Sequence, residues 1–420
     1  MEFFELKPVE DARSQFLTAS ARTAQVAETV ALPDALGRVT AVPITSPADL
    51  PPFARTSVDG YAVKAADTFG ASEGLPAYLK VTAEILMGQA PAHPLRGGEA
   101  QRISTGGALP DGADAVVMVE YTEALTDDEI GVTRPVSPGE NVMHKGEDAR
   151  EGAVLLPAGH QVRAQELALL QSAGILRVDV IARPTVAIIS TGDELVEPEA
   201  APGPGQIRES NAAALTALVR RDGGVPTYLG KAADTEESIR SLLREGMGYD
   251  VILISGGSSV GTRDLTSKMI AELGEPGILV HGVKLKPGKP TILAVAGGAG
   301  GLVADGPKPV VGLPGHPVSA QVVYGLFVTP LLRQLQGLPA EPDFKPFVRA
   351  RLTKNVASAT GRTDCVRVRL RRDGDEVWAE PVHGKSGLIS TLVKADGLVT
   401  IPSSKEGLLA GDWVEVEVLA

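Results

Sequence analysis

Two stretches decide the fold: PTVAIISTGDEL (residues 184–195) and DVILISGGSSVGTRD (250–264). Each is an almost unbroken apolar run that stops abruptly at glycine and acid. Apolar runs without alternation belong to strands covered on both faces, as in parallel sheets. Between them lie NAAALTALVRRDGG (211–224), VPTYLG (225–230) and EESIRSLLREG (236–246), two helical patterns around another strand. Strands alternating with helices in this way predict a doubly wound α/β domain with helices on both faces. Ligands of such sheets bind beyond the carboxyl ends of the strands, so the residues after each strand carry the functional information.

Outward from this segment the texture changes. Upstream, LKVTAEI (79–85), ADAVVMVEY (113–121) and EIGVTRPV (129–136) are short runs separated by Gly, Pro and Asp turns, the pattern of a small β domain. RAQELALLQSAG (163–174) reads as a helix ending on Gly174 at a natural C-cap position. Residues 8–31 read as one or two amphipathic helical turns, with Val9, Phe16 and Leu17 as apolar positions, followed by a Pro-punctuated connector. Downstream, FVRARLT (347–353), CVRVRLRRDGDEVWAEPV (365–382) and DWVEVEVL (412–419) alternate with period two, and RDGDE supplies a hairpin turn. A small C-terminal β barrel or sandwich is expected there.

At 420 residues the chain has room for two to four domains, and 43% hydrophobic content with only 4% aromatics implies cores built from Val, Ile, Leu and Ala. A formal net charge of -12 opposes a nucleic-acid or anionic-membrane role, since either needs a basic surface. The single cysteine, Cys365, excludes an intrachain disulfide or a thiolate cluster and reads as a passive, partly buried thiol. The N-terminus has no basic segment followed by an apolar stretch, and no run approaches a membrane span, so a cytoplasmic location is expected.

Candidate chemistry sits in the loops. Asp193 and Glu194 follow the first strand, Asp234 follows VPTYLG, and Asp264 ends SGGSSVGTRD. Gathered at one sheet edge, these acids form a hard oxygen environment suited to Mg²⁺ bound together with substrate phosphates. Taken singly, each acid is equally well explained as the cap of the next helix. Gly256, Gly257 and Gly261 allow backbone N–H groups to approach an anion, with Ser255, Ser258 and Ser259 as added donors. Lys284, Lys286 and Lys289 bracket a Pro-Gly turn in KLKPGKP; they read either as solvated surface or as phosphate neutralisation. In GLPGHPVS (312–319), a strand leads through Pro314 and Gly315 into a helix opened by Pro317, aiming its N-terminus and Ser319 at the same edge. His316 either contacts substrate or caps and packs. Ser57 and Asp59 in PPFARTSVDGYAV (51–63), Thr105 in ISTGG (103–107), and Asp148 in KGEDAREG (145–152) form further Gly-containing turns.

These loops, in this order, resemble the molybdopterin molybdenumtransferase family, which includes the C-terminal enzymatic domain of gephyrin and its plant counterpart. The matching stretches are PPFARTSVDGYAV, ISTGGALPDGADAVVMVE, KGEDAREG, STGDEL, SGGSSVG with Asp264, KPGKP and GLPGHPVS, spanning residues 51–319. STGDEL and SGGSSVG suit any molybdopterin-binding α/β domain; SVDGYA, ISTGG and KGED select the molybdenum-inserting branch. Ala54-Arg55 stands where many relatives have Asp-Asn, and His316 where Asn is common.

The resemblance implies a multidomain, elongated subunit: a discontinuous domain from 1–48 and 144–181, a small β domain over 49–143, an α/β molybdopterin-binding domain over 182–338, and a C-terminal β barrel over 339–420. It implies a homodimer with an active site shared between subunits, molybdopterin adenylyltransferase as pathway partner, and molybdate and adenylated molybdopterin as substrates, AMP being released in an Mg²⁺-dependent hydrolysis. In that setting Asp193, Glu194, Asp234 and Asp264 hold the metal, with Glu194, Asp234 and Asp264 also catalytic beside Asp59, Thr105 and Asp148. Ser57, Gly192, Ser255 to Ser259, Gly261, the three lysines, Pro314, Gly315, His316 and Ser319 bind the pterin and its phosphates. Competing readings are an adenylyltransferase that makes the adenylate, and a non-catalytic molybdopterin-binding scaffold.

Overall fold

The structure, a computed structural model, describes residues 6–22, 25–256, 262–297, 306–342, 344 and 346–419, the side chains of 262–264 excepted. The chain divides into two units, one of residues 29–36 and 40–180, the other of residues up to 28, 37–39 and 181 onward.

In the first unit, the period-two segments pair into a six-stranded sheet. Its order is Ala115–Met118, Gly60–Val63, Glu99–Ile103, Ala77–Ile85, Glu129–Val132 and Thr122–Thr126. Ala77–Ile85 and Glu99–Ile103 run parallel; the other neighbours are antiparallel. Alternate residues Val63, Ala115 and Val117 enter one core with Leu79, Ile130 and Val132. The opposite face buries Ala62, Ile85, Ile103 and Val116 in a smaller one. A third core joins Leu32, Ile44, Leu156, Val162 and Leu170, the last from a helix over Ala164–Ser172. This helix starts on one half of a capping box: the Arg163 N–H donates to Glu166 Oε2 at 2.8 Å, and the Arg163 guanidinium pairs with Oε1 at 2.5 Å. It ends at Gly174, whose φ of +75° is the left-handed conformation that closes a helix C-terminus.

In the second unit, the six-stranded α/β sheet has the order Val225–Ala232, Thr185–Thr191, Val251–Ser255, Lys308–Leu313, Ile292–Ala296 and Gly277–His281. The first four strands are parallel, and the last two add antiparallel. Sequence alternation of strands and helices predicts only the parallel part, because a crossover helix is what forces parallel pairing and Gly277–His281 to Ile292–Ala296 are linked without one. Alternate residues of each central strand face opposite layers. Val186, Ile188, Val251 and Leu253 pack with helices α1 (Val9–Ala19), α3 (Asn211–Arg221), α6 (Pro317–Val323) and α7 (Thr329–Leu335), numbering the Ala164–Ser172 helix α2. Ala187, Ile189, Ile252 and Ile254 pack with α4 (Glu236–Gly246) and α5 (Thr262–Ala271). Thus α1 runs three turns instead of one or two, because Val9, Ala12 and Phe16 are buried on the sheet and tertiary packing extends the helix.

The C-terminal strands close into a five-stranded barrel: Thr363–Asp373, Glu376–Pro381, Phe347–Leu352, Trp413–Val418, Gly397–Ile401 and back to Thr363–Asp373. Leu285–Lys286 pairs beside Thr363–Asp373 from outside the barrel. Cys365 is buried there at 8% exposure, and burial pushes its thiol up to about 12. Among the described residues no helix is long and apolar enough to cross a membrane.

Candidate active site

The carboxyl ends of the parallel strands enclose a cavity of about 340 Å³, lined by residues that include Thr191, Glu194, Glu209, Asn211, Asp234 and His316. Strand approach is what shapes it. Ser190 pairs with Ser255 across two parallel strands, and a Cβ at Gly256 would lie 2.1 Å from the Thr191 carbonyl oxygen. Gly256 also has φ of 130°, so the turn after this strand admits glycine alone.

Polar side chains then bind the loops to one another. Asn211, at the start of α3, donates from Nδ2 to Ser255 Oγ at 2.7 Å and to the Gly315 carbonyl at 2.9 Å. Glu209 accepts from the Ala212 N–H at 2.9 Å, capping α3, and from Ser190 Oγ at 3.1 Å. Lys231 donates to the Leu195 carbonyl at 2.7 Å, and the Asp234 N–H donates to Asp193 Oδ1 at 3.2 Å. Burial, with the neighbouring charges of Asp193 and Glu194, holds the Asp234 carboxyl above the ordinary aspartate range. Its Oδ1 is buried and has no hydrogen-bond partner among the described residues.

Of the residues singled out in the sequence, Gly192, Glu194, Asp234, Ser255, Gly256, Gly315 and His316 line this cavity, and Asp193 touches Asp234. Pro314 and Ser319 are buried and are not among the lining residues. Gly257, Ser258, Ser259 and Gly261, and the Asp264 side chain, lie outside the described residues. Lys284, Lys286 and Lys289 are not among the lining residues. Lys286 instead pairs with Asp364 of the barrel at 3.3 Å. The Val318 N–H in the first turn of α6 is taken by the Ser386 carbonyl at 3.2 Å. Glu209, Asn211 and Ser386 went unnoticed in the sequence; RESN (208–211), an acid directly before a helical pattern, is the one signal that could have exposed the first two.

In the other unit, Asp59 and Thr105 meet. The Thr105 N–H and Oγ1 both donate to Asp59 Oδ1, at 2.7 and 3.0 Å. The backbone bond, followed by the hydroxyl bond, holds the Asp59 carboxyl below its ordinary range. Ser57 Oγ donates to the Asn141 carbonyl at 3.2 Å. Asp148 is exposed, its N–H donating to the Leu50 carbonyl at 2.9 Å.

Comparison with known proteins covers nearly all of this chain. Residues 7–174 match the MoeA N-terminal region (domain I and II), 187–334 the probable molybdopterin binding domain, and 349–419 the MoeA C-terminal region (domain IV). The molybdopterin molybdenumtransferase of Bacillus subtilis is 34% identical over 394 residues, covering 93% of this chain and 89% of that protein. The chain belongs to the molybdopterin molybdenumtransferase (MoeA) family. Another member, the molybdopterin molybdenumtransferase of a Nostoc species, is 38% identical over 76% of this chain and 72% of its own. Among solved members, a molybdopterin biosynthesis MoeA protein from Pyrococcus horikoshii superimposes with a TM-score of 0.81 at 40% identity, covering 99% of both chains.

Proposed function

We propose that the chain is a cytoplasmic molybdopterin molybdenumtransferase that inserts molybdate into adenylated molybdopterin and releases AMP, acting as a homodimer whose active site draws on both subunits. The observation that carries this reading is the Asp234 carboxylate: half-buried, unpartnered at Oδ1, beside Asp193 and Glu194, in a cavity at the strand ends. Family membership supplies the substrate class, and an adenylated pterin brings the phosphates that such a cavity suits.

The acids fit Mg²⁺. Asp193 accepts from the Asp234 N–H and Glu194 lies beside them, so one or two carboxylates are at hand for an ion that completes its shell with water and substrate phosphate. Asp234, with Asp193 or Glu194, would hold it directly and the remaining acids, Asp264 among them, through its waters; when bound it would offset phosphate charge and acidify a water. The chain's own residues do the remainder. Asn211 fixes Ser255 and Gly315 so that the pocket wall is preorganised, and Glu209 holds the entrance of α3. Asp59, Thr105 and Asp148 help place molybdate, and Lys284, Lys286 and Lys289 offset oxyanion charge. The adenylate arrives from a molybdopterin adenylyltransferase acting earlier.

The test mixes purified protein with adenylated molybdopterin, Mg²⁺ and molybdate and follows AMP. Release of AMP together with pterin-bound molybdenum is expected. AMP incorporation from ATP and molybdopterin, without molybdenum uptake, would instead identify an adenylyltransferase.

A further inference from the structure

The loop that follows barrel strand Glu376–Pro381 reaches the pocket. Ser386 Oγ lies 2.9 Å from His316 Nδ1, while its carbonyl accepts the Val318 N–H at 3.2 Å. Two residues earlier, the Gly384 carbonyl accepts from the Arg367 guanidinium at 2.8 Å, and Arg367 is only 9% exposed. One residue later, a Cβ at Gly387 would stand 3.6 Å from His316 Cδ2 and 3.8 Å from Nε2. Ser386 is therefore anchored on the barrel side by a buried arginine and on the pocket side by α6, and its hydroxyl is presented to the ring.

Resting on the function proposed above, we infer that Ser386 is a positioning residue: it fixes the His316 ring so that Nε2–H donates to a phosphate of the adenylated substrate. A neutral imidazole carries one ring proton, and the hydrogen bond made by one nitrogen selects which nitrogen bears it. With Nδ1 facing the Ser386 hydroxyl, Nε2 is the side chain's remaining polar atom at the cavity wall. A lone pair on Nε2 would repel a phosphate oxygen, whereas an N–H there attracts it. A serine hydroxyl can donate or accept; in the arrangement inferred here Ser386 Oγ donates to Nδ1, which leaves the ring proton on Nε2. The inserted molybdenum need not touch Ser386 for this role.

Three variants of the full chain test it: Ser386→Ala, Ser386→Val and Ser386→Thr. Ser386 sits on an exposed loop, so melting temperatures should match the wild type. Ring-nitrogen NMR of wild-type His316 should show Nε2 protonated and Nδ1 accepting a hydrogen bond; in Ser386→Ala the Nδ1 signal should lose that signature. AMP, titrated calorimetrically, should bind about five- to tenfold more weakly to the Ala and Val variants, as for one hydrogen bond to a charged group, and Thr should restore it. KM for adenylated molybdopterin should rise by a similar factor with kcat within about twofold. Wild-type protein with Nδ1 protonated, or an Ala variant with unchanged AMP affinity, overturns the inference. If the wild type binds AMP but releases none from the adenylated pterin, the proposed function fails while the NMR and AMP measurements still decide the role of Ser386.

Discussion

Asp59 and Asp234 occupy opposite electrostatic settings. Asp59 receives two hydrogen bonds on one oxygen from Thr105 and is held below the ordinary aspartate range, so its charge is satisfied by its own turn. Asp234 has a buried oxygen without a partner, two acidic neighbours, and a carboxyl held above that range. The first is a finished hydrogen-bond unit; the second is an acid that its fold leaves incomplete, and in the proposed function a bound cation would stabilise its charge. The difference teaches that residue type alone does not mark a metal ligand, and that the useful sign is an acid left electrostatically incomplete by its fold.

The sharpest way to break this contrast is Asp234→Asn. AMP release should fall by about a hundredfold or more, the scale of losing a key electrostatic contact. Thermal stability of the metal-free protein should hold or rise, because the substitution removes a charge that burial and its neighbours disfavour. Retained turnover would remove Asp234 from the chemistry. Glu194→Gln should also abolish turnover with folding intact. At fixed Mg²⁺, binding measured by calorimetry should weaken as pH falls, starting above the range of an ordinary aspartate, since Asp234 takes up a proton there.

A smaller effect is expected at Glu166, a third acid and a satisfied one like Asp59. The Arg163 side chain lowers its carboxyl to about 2 from 4.5 against the cost of burial, and the Arg163 N–H and His160 add to the lowering. A lowered folded-state value means stability fully present above the unfolded value and lost as pH falls from about 4.5 to about 2. Glu166→Gln should therefore cost on the order of 2–3 kcal/mol in urea unfolding at neutral pH, and the gap from wild type should close across that acid window. Smallest of all, Thr105→Val keeps the backbone donor and loses the hydroxyl. The Asp59 carboxyl should titrate higher by NMR, with turnover reduced by less than about tenfold.

Much of this was legible because it is local. Apolar runs ending in glycine and acid announce strand ends, and STGDEL does place Gly192 and Glu194 on the cavity wall. Glycine at 256 is forced by a carbonyl on the neighbouring strand, but the turn signal itself is visible in one dimension. Roles that depend on distant partners were not legible. Asn211 matters because Ser255 and Gly315 arrive beside it from 44 and 104 residues away. Ser386 matters because a barrel loop meets His316 across 70 residues. The turn singles out Lys286, but its partner Asp364 is hidden in the sequence, since strand pairing brings that acid alongside from 78 residues away.

That pairing carries a lesson for exchanging parts between relatives. Leu285–Lys286 is a splint laid along barrel strand Thr363–Asp373, stitched by the Thr363 N–H to the Lys284 carbonyl at 2.9 Å and by Lys286 to Asp364. A chimera cut at the apparent border before Phe347 would tear this splint from its bed. Grafting the KLKPGKP turn together with the barrel would keep both halves of the seam matched.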